Sequence, residues 1–448
     1  MTSFSPSQSA DIASLLQQAG LGLLGKDSAW LPAPVSLTPY HLSDELWQQA
    51  LAAGRLLGLL HLRVAQQTDW LLQQLAPLAT GNSLPGQLTR LLNAAGTASR
   101  IAKTVSLQRH DLMLDQNQQW RWVESNPIAA GMGPLNSRWL GLLQQQMPGH
   151  YAENPATGAQ AQLLYKAAAA QAGQTNPQIV FVVEPQEDNV FDQQLLAEAL
   201  QQLGATVQRL TLAQLHQRVA ANPAGSRTLC DAQRQPLHLL YFRTGYNAAD
   251  YQSAAQLELR AQLEHFDLLV CPSLSEQLAG SKWLQLRLCQ YLQQPVRHAE
   301  FAAQFGFSLA ETRQLAALTV PMAAVDELTA DEVATRLAAG WWYKRQAEGG
   351  GNVARAAQAS HWYAQRQSDA GDILMAPIDA KIRPEALDKL VQGQWQSASG
   401  HISELGIFSL GESASYGGYL LRTKASDSLE GGVHKGFAVL DTVQLIWR

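Results

Sequence analysis

The run Ile179-Val180-Phe181-Val182-Val183 constrains the fold of this chain most, because five consecutive apolar residues, four of them β-branched, leave no polar face. A strand of that kind must be covered on both sides, as in a parallel sheet flanked by helices. The residues downstream fit this demand. A polar loop from Glu184 to Asn189 leads to a helical pattern over Phe191 to Leu203, a second apolar strand at Leu237 to Phe242, a helix at Gln256 to Phe266 and a short strand at Leu268 to Val270. The alternation predicts an α/β unit. Ligands of such sheets bind beyond the carboxyl ends of the strands, which is where Glu187-Asp188-Asn189 and Arg243-Thr244-Gly245-Tyr246 fall.

The flanking sequence differs in character. From Ser9 to about Ala102 apolar residues recur at three- and four-residue spacing, as in helices, interrupted by the proline-containing stretch Pro32 to Pro39 and by Pro85. Val105 to Leu114 and Trp120 to Val123 read as a hairpin turned at Asp115 to Gln118, with Glu124 and Asn126 delivered to a loop. An Ala/Gln-rich helix over Tyr151 to Gln178 leads into the apolar run. After Gly340 the pattern becomes strand-rich, at Trp341 to Lys344, Ile373 to Met375, His401 to Phe408, Gly418 to Lys424 and Gly436 to Leu440. A length of 448 residues favours two or more joined units. The expected boundaries are 1–175, 176–282 for the α/β unit, and 283–448.

Composition removes several classes of function. Charged residues make up 15% of the chain against about 25% in typical domains, and the net charge is -5, so there is no basic footprint for nucleic acid or a membrane surface. Cys230, Cys271 and Cys289 are far apart and lack zinc or disulfide spacing, as expected of reduced thiols in the cytoplasm. No stretch approaches the ~18 apolar residues of a membrane helix. Small-molecule chemistry is what remains.

Two groups of residues carry that chemistry. Lys344-Arg345-Gln346-Ala347-Glu348-Gly349-Gly350-Gly351-Asn352 puts a cation, a carboxylate and three glycines into one turn, which suits phosphate and its Mg²⁺. It is not a Walker loop, because the lysine precedes the glycines and no Ser or Thr follows it. Glu124 and Asn126 are two residues apart, so an extended backbone turns both oxygens to one side, toward a hard cation.

Five ordered blocks together resemble the eukaryotic-type glutathione synthetases, which are ATP-grasp amide ligases. They are Arg109-His110-Asp111-Leu112-Met113 with Val123-Glu124-Ser125-Asn126; Glu187 to Gln193; Tyr241 to Tyr246; Cys271-Pro272 with Gln277 to Lys282; and the glycine-rich loop with Ile402 to Phe408, Leu420 to Ala425 and Glu430 to Val433. The resemblance implies an α/β (α+β) ATP-grasp fold in permuted order, with the α/β substrate-binding subdomain inserted and a helical region at the N-terminus. It also implies a homodimer that uses ATP and Mg²⁺ to join γ-glutamylcysteine to glycine.

By residue, the resemblance implies Mg²⁺ at Glu124, Asn126 and Glu348. The nucleotide is assigned to Lys282, Lys344, Glu348, Gly349, Gly350, Gly351, Asn352, Met375, Ile378, Glu404, Lys424 and Glu430. The γ-glutamyl substrate and product are assigned to Arg109, Ala130, Gly131, Glu187, Asn189, Gln193, Arg243, Tyr246, Arg422, Val433 and His434. Arg109, Lys344, Arg422 and Lys424 are assigned to catalysis. Three departures bear on this assignment: Gly131 stands where the family usually has serine, Ala376-Pro377 replaces a charged pair, and His434 replaces a small apolar residue. A related ligase with a different amine acceptor, or a silent nucleotide-binding protein, is the alternative reading.

Overall fold

An eight-stranded sheet forms the middle of the molecule, in the order Gln394–Ala398, Leu387–Val391, Val35–Ser36, Val439–Asp441, Ser415–Ala425, His401–Leu410, Leu107–Leu114 and Trp120–Asn126. The description rests on a computed structural model that covers residues 9–25, 29–96, 105–348, 351–366, 371–429, 431–433 and 436–446. Segments distant in sequence lie side by side in this sheet. Val35 pairs with both Leu390 and Leu440, so the N-terminal segment is woven between two C-terminal ones. The sequence-based reading of a helical N-terminal region omits this strand and the short strands Gly22–Leu24, Trp30–Pro32 and Tyr40–Ser43, which are too short to establish a period.

Alternation along the central strands divides the sheet into two faces. Leu112, Leu114, Trp120, Trp122, Leu405, Ile407 and Leu421 turn to one side, into a core shared with the helix Asp44–Gln66. That helix lies close to the sheet because Gly54 and Gly58 have no side chains: a Cβ on Gly54 would come within 2.3 Å of Ile407. Leu107, Phe408, Leu410 and Leu420 turn to the other side, against the helices Gly133–Gln146 and Ala156–Ala172. The rest of that second face carries charged residues instead of apolar ones.

The α/β unit predicted from the apolar run is present. Its four parallel strands run in the order Leu269–Cys271, Leu239–Phe242, Gln178–Val183 and Thr206–Thr211. Ile179 to Val183 are all buried, as a strand covered on both faces requires. The strand Thr206–Thr211 and the helix Leu212–Ala220 are additions to the sequence reading. Thr206–Thr211 is an edge strand of mixed burial and lacks the apolar run that betrays the central strands. The chain crosses from one edge to the opposite side between Gln178–Val183 and Leu239–Phe242, so the topological switch point lies at Glu184 to Asn189 and Arg243 to Tyr246.

A third, antiparallel sheet of four strands, in the order Met322–Ala324, Ile373–Met375, Trp342–Lys344 and Val353–Ala354, carries the glycine-rich turn. The helix Ala356–Gln365 interrupts the strand-rich pattern expected after Gly340. None of the described helices is long and apolar enough to cross a membrane.

Candidate active site

The charged part of the central sheet is built by register. Glu404 lies opposite Arg422, Arg109 opposite Asn126, and Asp111 opposite Glu124, so four strands present these residues on one face. A β-bulge makes this possible. Leu112 pairs with Trp122 while Asp111 pairs with Glu124, which leaves Val123 as an extra residue. Without it, the period of two would turn Glu124 and Asn126 into the Trp120 and Trp122 core. The two residues therefore lie within the strand Trp120–Asn126 and not in a loop.

Asp111 is the hub of this face. Arg109 donates to it through Nε (2.7 Å to Oδ1) and Nη2 (2.9 Å to Oδ2), Arg422 through Nη2 (2.8 Å), and Asn126 through Nδ2 (3.1 Å). Arg422 also pairs with Glu404. Gly406 makes room for the hub, since a Cβ there would come within 2.5 Å of Asp111 Oδ1 and 2.7 Å of Arg109 Cδ. The sequence-based set of site residues omits Asp111. Its signal was available, because it stands two residues from Arg109 in an extended segment and so shares its face.

The electrostatics follow from this crowding. Burial alone would raise the Glu124 carboxyl, but Lys282, Lys344, Arg422 and Arg109 hold it down at about 2. Glu348 is raised by its burial, opposed by Lys282 and reinforced by Glu124; it forms an ion pair with Lys282, whose ammonium also donates to the Ala347 carbonyl at 2.8 Å. Lys344 is lowered by burial, with Glu124 opposing and Lys282 adding to the shift. Between the strands Trp342–Lys344 and Val353–Ala354, Arg345 N–H donates to the Asn352 carbonyl (3.0 Å) and Asn352 Nδ2 to the Glu348 carbonyl (3.0 Å).

A cavity of about 690 Å³ lies over this face, between the central sheet, the antiparallel sheet and the switch point of the parallel sheet. Glu124, Asn126, Lys282, Lys344, Glu348 and Asn352 line it, as do Met375, Ile378, Glu404, Arg422 and Lys424. So do Arg109, Gly131, Glu187, Asn189, Arg243, Tyr246 and Val433. Ala130, Gln193 and Gly351 do not line it. Ala130 is buried in the apolar core, and Gln193 is buried on the helix Val190–Gln202. Gly349, Gly350, Glu430 and His434 lie outside the described residues.

Among the described residues no three carboxylate, histidine or cysteine groups are close enough together to hold a metal alone. The donor chemistry nevertheless fits a hard cation: Glu124 is held ionised, and Asn126 spends its amide N–H on Asp111, which leaves the amide oxygen for a metal. Mg²⁺ takes few protein oxygens and completes its shell with water and phosphate.

The family model for the eukaryotic glutathione synthase ATP-binding domain matches residues 25–445. The chain belongs to this family. The chloroplastic glutathione synthetase of Solanum lycopersicum is 29% identical over 442 residues, covering 92% of this chain and 78% of the relative. The glutathione synthetase of Homo sapiens is 29% identical over 456 residues, covering 91% of this chain and 89% of the relative. In fold, the chain resembles a glutathione synthetase-like effector from Globodera pallida solved in its apo form, with a TM-score of 0.71, 16% identity and coverage of 98% of this chain and 97% of that one.

In this family member the far end of the cavity has a different character. Arg243 Nη2 pairs with Asp192 at 3.0 Å, with both side chains almost wholly buried. Around that pair, Arg243 Nε, Asn189 Oδ1, Glu187 Oε2 and both amide atoms of Gln193 are buried without a hydrogen-bond partner. Buried polar groups left unpaired are costly, and Glu187, Asn189 and Arg243 line the cavity, so a polar ligand entering it would meet two unpaired acceptors and an unpaired donor. Gly131 is set by the same contact: a Cβ would come within 2.4 Å of Arg243 Nη2 and 3.2 Å of Asn189 Nδ2. The guanidinium occupies the space in which a serine side chain would stand. At the opposite end, the Ala376 N–H is taken by the Pro321 carbonyl at 2.8 Å and Pro377 has none, so neither residue has a backbone N–H left to donate into the cavity.

Proposed function

We propose that this chain joins γ-glutamylcysteine to glycine at the expense of ATP, releasing ADP and phosphate through an acyl phosphate. The observation that carries the reading is one cavity whose two ends have complementary chemistry. Three lysines and an ionised carboxylate stand at one end, and an unsatisfied zwitterion-binding set, Glu187, Asn189 and Arg243, stands at the other.

In this reading Lys282, Lys344 and Lys424 neutralise the nucleotide phosphates. Glu124, Asn126 and Glu348 would hold Mg²⁺, which, when bound, withdraws charge from the phosphate oxygens. Glu348 pairs with Lys282 through one of its two carboxylate oxygens, which leaves the other to serve a cation. Met375 and Ile378 pack against the adenine. Arg243 binds the carboxylate of the γ-glutamyl group, and Glu187 and the amide oxygen of Asn189 accept from its ammonium. The cysteinyl carboxylate then attacks the γ-phosphorus, and the amine of glycine displaces phosphate from the acyl phosphate. Arg109 and Arg422, fixed by Asp111, stabilise the negative charge that develops on the transferring group and on the tetrahedral centre. Leu429, Gly431, Gly432 and Val433, which line the cavity, exclude water from the acyl phosphate. Homodimeric assembly and a cytoplasmic location belong to the same reading, and sedimentation equilibrium tests the first.

ADP release measured with γ-glutamylcysteine and a panel of amines tests the proposal. Glycine is expected to give the highest kcat/KM. Preference for another amine would assign the chain to a related ligase, and no ADP with any amine would refute the enzymatic reading.

A further inference from the structure

Behind the charged face, a buried polar chain spans three strands of the central sheet. His110 Nδ1 lies 2.8 Å from Ser125 Oγ, and its Nε2 lies 2.9 Å from Ser409 Oγ. Trp122 Nε1–H donates to the same Ser125 Oγ at 3.0 Å. His110 is fully buried and Ser125 and Ser409 nearly so. The ring of His61, from the helix Asp44–Gln66, lies 5.3 Å from His110 and edge-on to Trp122 at 5.5 Å, with its own Nδ1 on the Leu57 carbonyl at 2.8 Å. A Cβ on Gly58 would meet Ser409 Oγ at 2.4 Å, so the glycine brings the helix down onto this chain of bonds.

Two arrangements of protons satisfy every bond, and in both Ser125 Oγ accepts the Trp122 N–H: either Ser125 donates to His110 Nδ1 and His110 Nε2–H donates to Ser409, or His110 Nδ1–H donates to Ser125 and Ser409 donates to Nε2. The imidazole must be neutral, as a fully buried ring without a counter-ion is.

Ser125 is the residue between Glu124 and Asn126, and Trp122 and Ser125 bracket the bulge at Val123. The bulge is what turns Glu124 and Asn126 out of the core and into the cavity. We infer that the His110, Ser125 and Trp122 network is a positioning device that locks the bulge and so fixes the aim of Glu124 and Asn126 at the metal. His110 ties the edge strand Trp120–Asn126 through its own strand to His401–Leu410, so the aim of the two ligands is referred to the middle of the sheet. This inference rests on the reading of Glu124 and Asn126 as metal ligands.

The test measures Mn²⁺ affinity in the presence of ADP by electron paramagnetic resonance, together with ADP affinity in the absence of metal and the melting temperature. Ser125→Ala is expected to weaken Mn²⁺ about 10-fold, the lower end of the loss seen when a group orienting a metal ligand is removed, with metal-free ADP affinity unchanged. His110→Asn is expected to move Mn²⁺ affinity in the same direction; if it does not fold, Ser125→Ala alone carries the test. Wild-type Mn²⁺ affinity in Ser125→Ala, alongside weakened affinity in Glu124→Gln, would overturn the positioning role and leave the ligand reading intact. Wild-type affinity in Glu124→Gln would remove the ligand reading and this inference with it.

Discussion

Replacement of Asp111 by asparagine tests the charged face at its hub. The carboxylate is fully buried and receives four hydrogen bonds, two from Arg109 and one each from Arg422 and Asn126. Breaking a buried ion pair by removing one partner costs about 3–5 kcal/mol, because the remaining charge is left uncompensated. The two arginines are not equally exposed to the loss. Arg422 keeps Glu404, whereas among the described residues Arg109 keeps only the Gly131 carbonyl, at 3.3 Å. Asparagine retains one acceptor oxygen, so the lower figure of about 3 kcal/mol applies, and Arg109 is the group that shifts. Expressed wholly in the transition state, that loss lowers kcat/KM by roughly 150-fold. Steady-state ADP release measures it, and thermal denaturation reports the share taken from stability. In the Asp111→Asn, Arg109→Gln double variant the two losses are expected to fall short of additivity by about 1 kcal/mol or more, because both act on one contact. A kcat/KM within threefold of wild type with an unchanged melting temperature would refute the claim that Asp111 holds the arginines.

Three further outcomes are expected. Lys344→Ala should weaken ADP binding by at least about tenfold, the value of one hydrogen bond to a charged group, and calorimetry giving wild-type affinity would exclude the lysine from the phosphate site. Gly131→Ser should push the Arg243 guanidinium from its place beside Asp192 and raise KM for γ-glutamylcysteine while leaving that for ATP alone; parallel changes in both would contradict the contact at 131. Glu124 has a folded-state pKa depressed from 4.5 to about 2, so its contribution to stability is complete above about pH 4.5 and is lost as the pH falls toward 2. Melting temperatures of wild type and Glu124→Gln are therefore expected to converge between pH 4.5 and 2.5, and curves that stay parallel through that interval would contradict the assignment.

The sequence made the α/β unit legible because its central strands are continuous apolar runs, and their carboxyl ends located Glu187, Asn189, Arg243 and Tyr246 before any coordinates. Glu124, Asn126 and Glu348 were legible as oxygen donors. What the sequence hid is how these pieces meet. The strand Val35–Ser36 has two residues and no period to detect, yet it joins the two C-terminal parts of the central sheet. The bulge at Val123 breaks alternation by one residue, and neither Val123 nor its neighbours carry a glycine or proline to announce it. Asp111 lay in plain view within the Arg109-His110-Asp111 block, but its role depends on Arg422, more than 300 positions away and brought beside it by strand pairing. The contact that makes Gly131 informative comes likewise from a different sheet.

The central claim is that the carboxylate of γ-glutamylcysteine is activated by phosphorylation in this cavity. It is tested most directly by labelling the oxygens of the cysteinyl carboxylate with ¹⁸O and analysing the released phosphate by mass spectrometry after turnover with ATP and glycine. The account predicts one labelled oxygen in each phosphate formed, transferred as the acyl phosphate collapses. Phosphate free of label, released along with the glycine-ligated product, would contradict it.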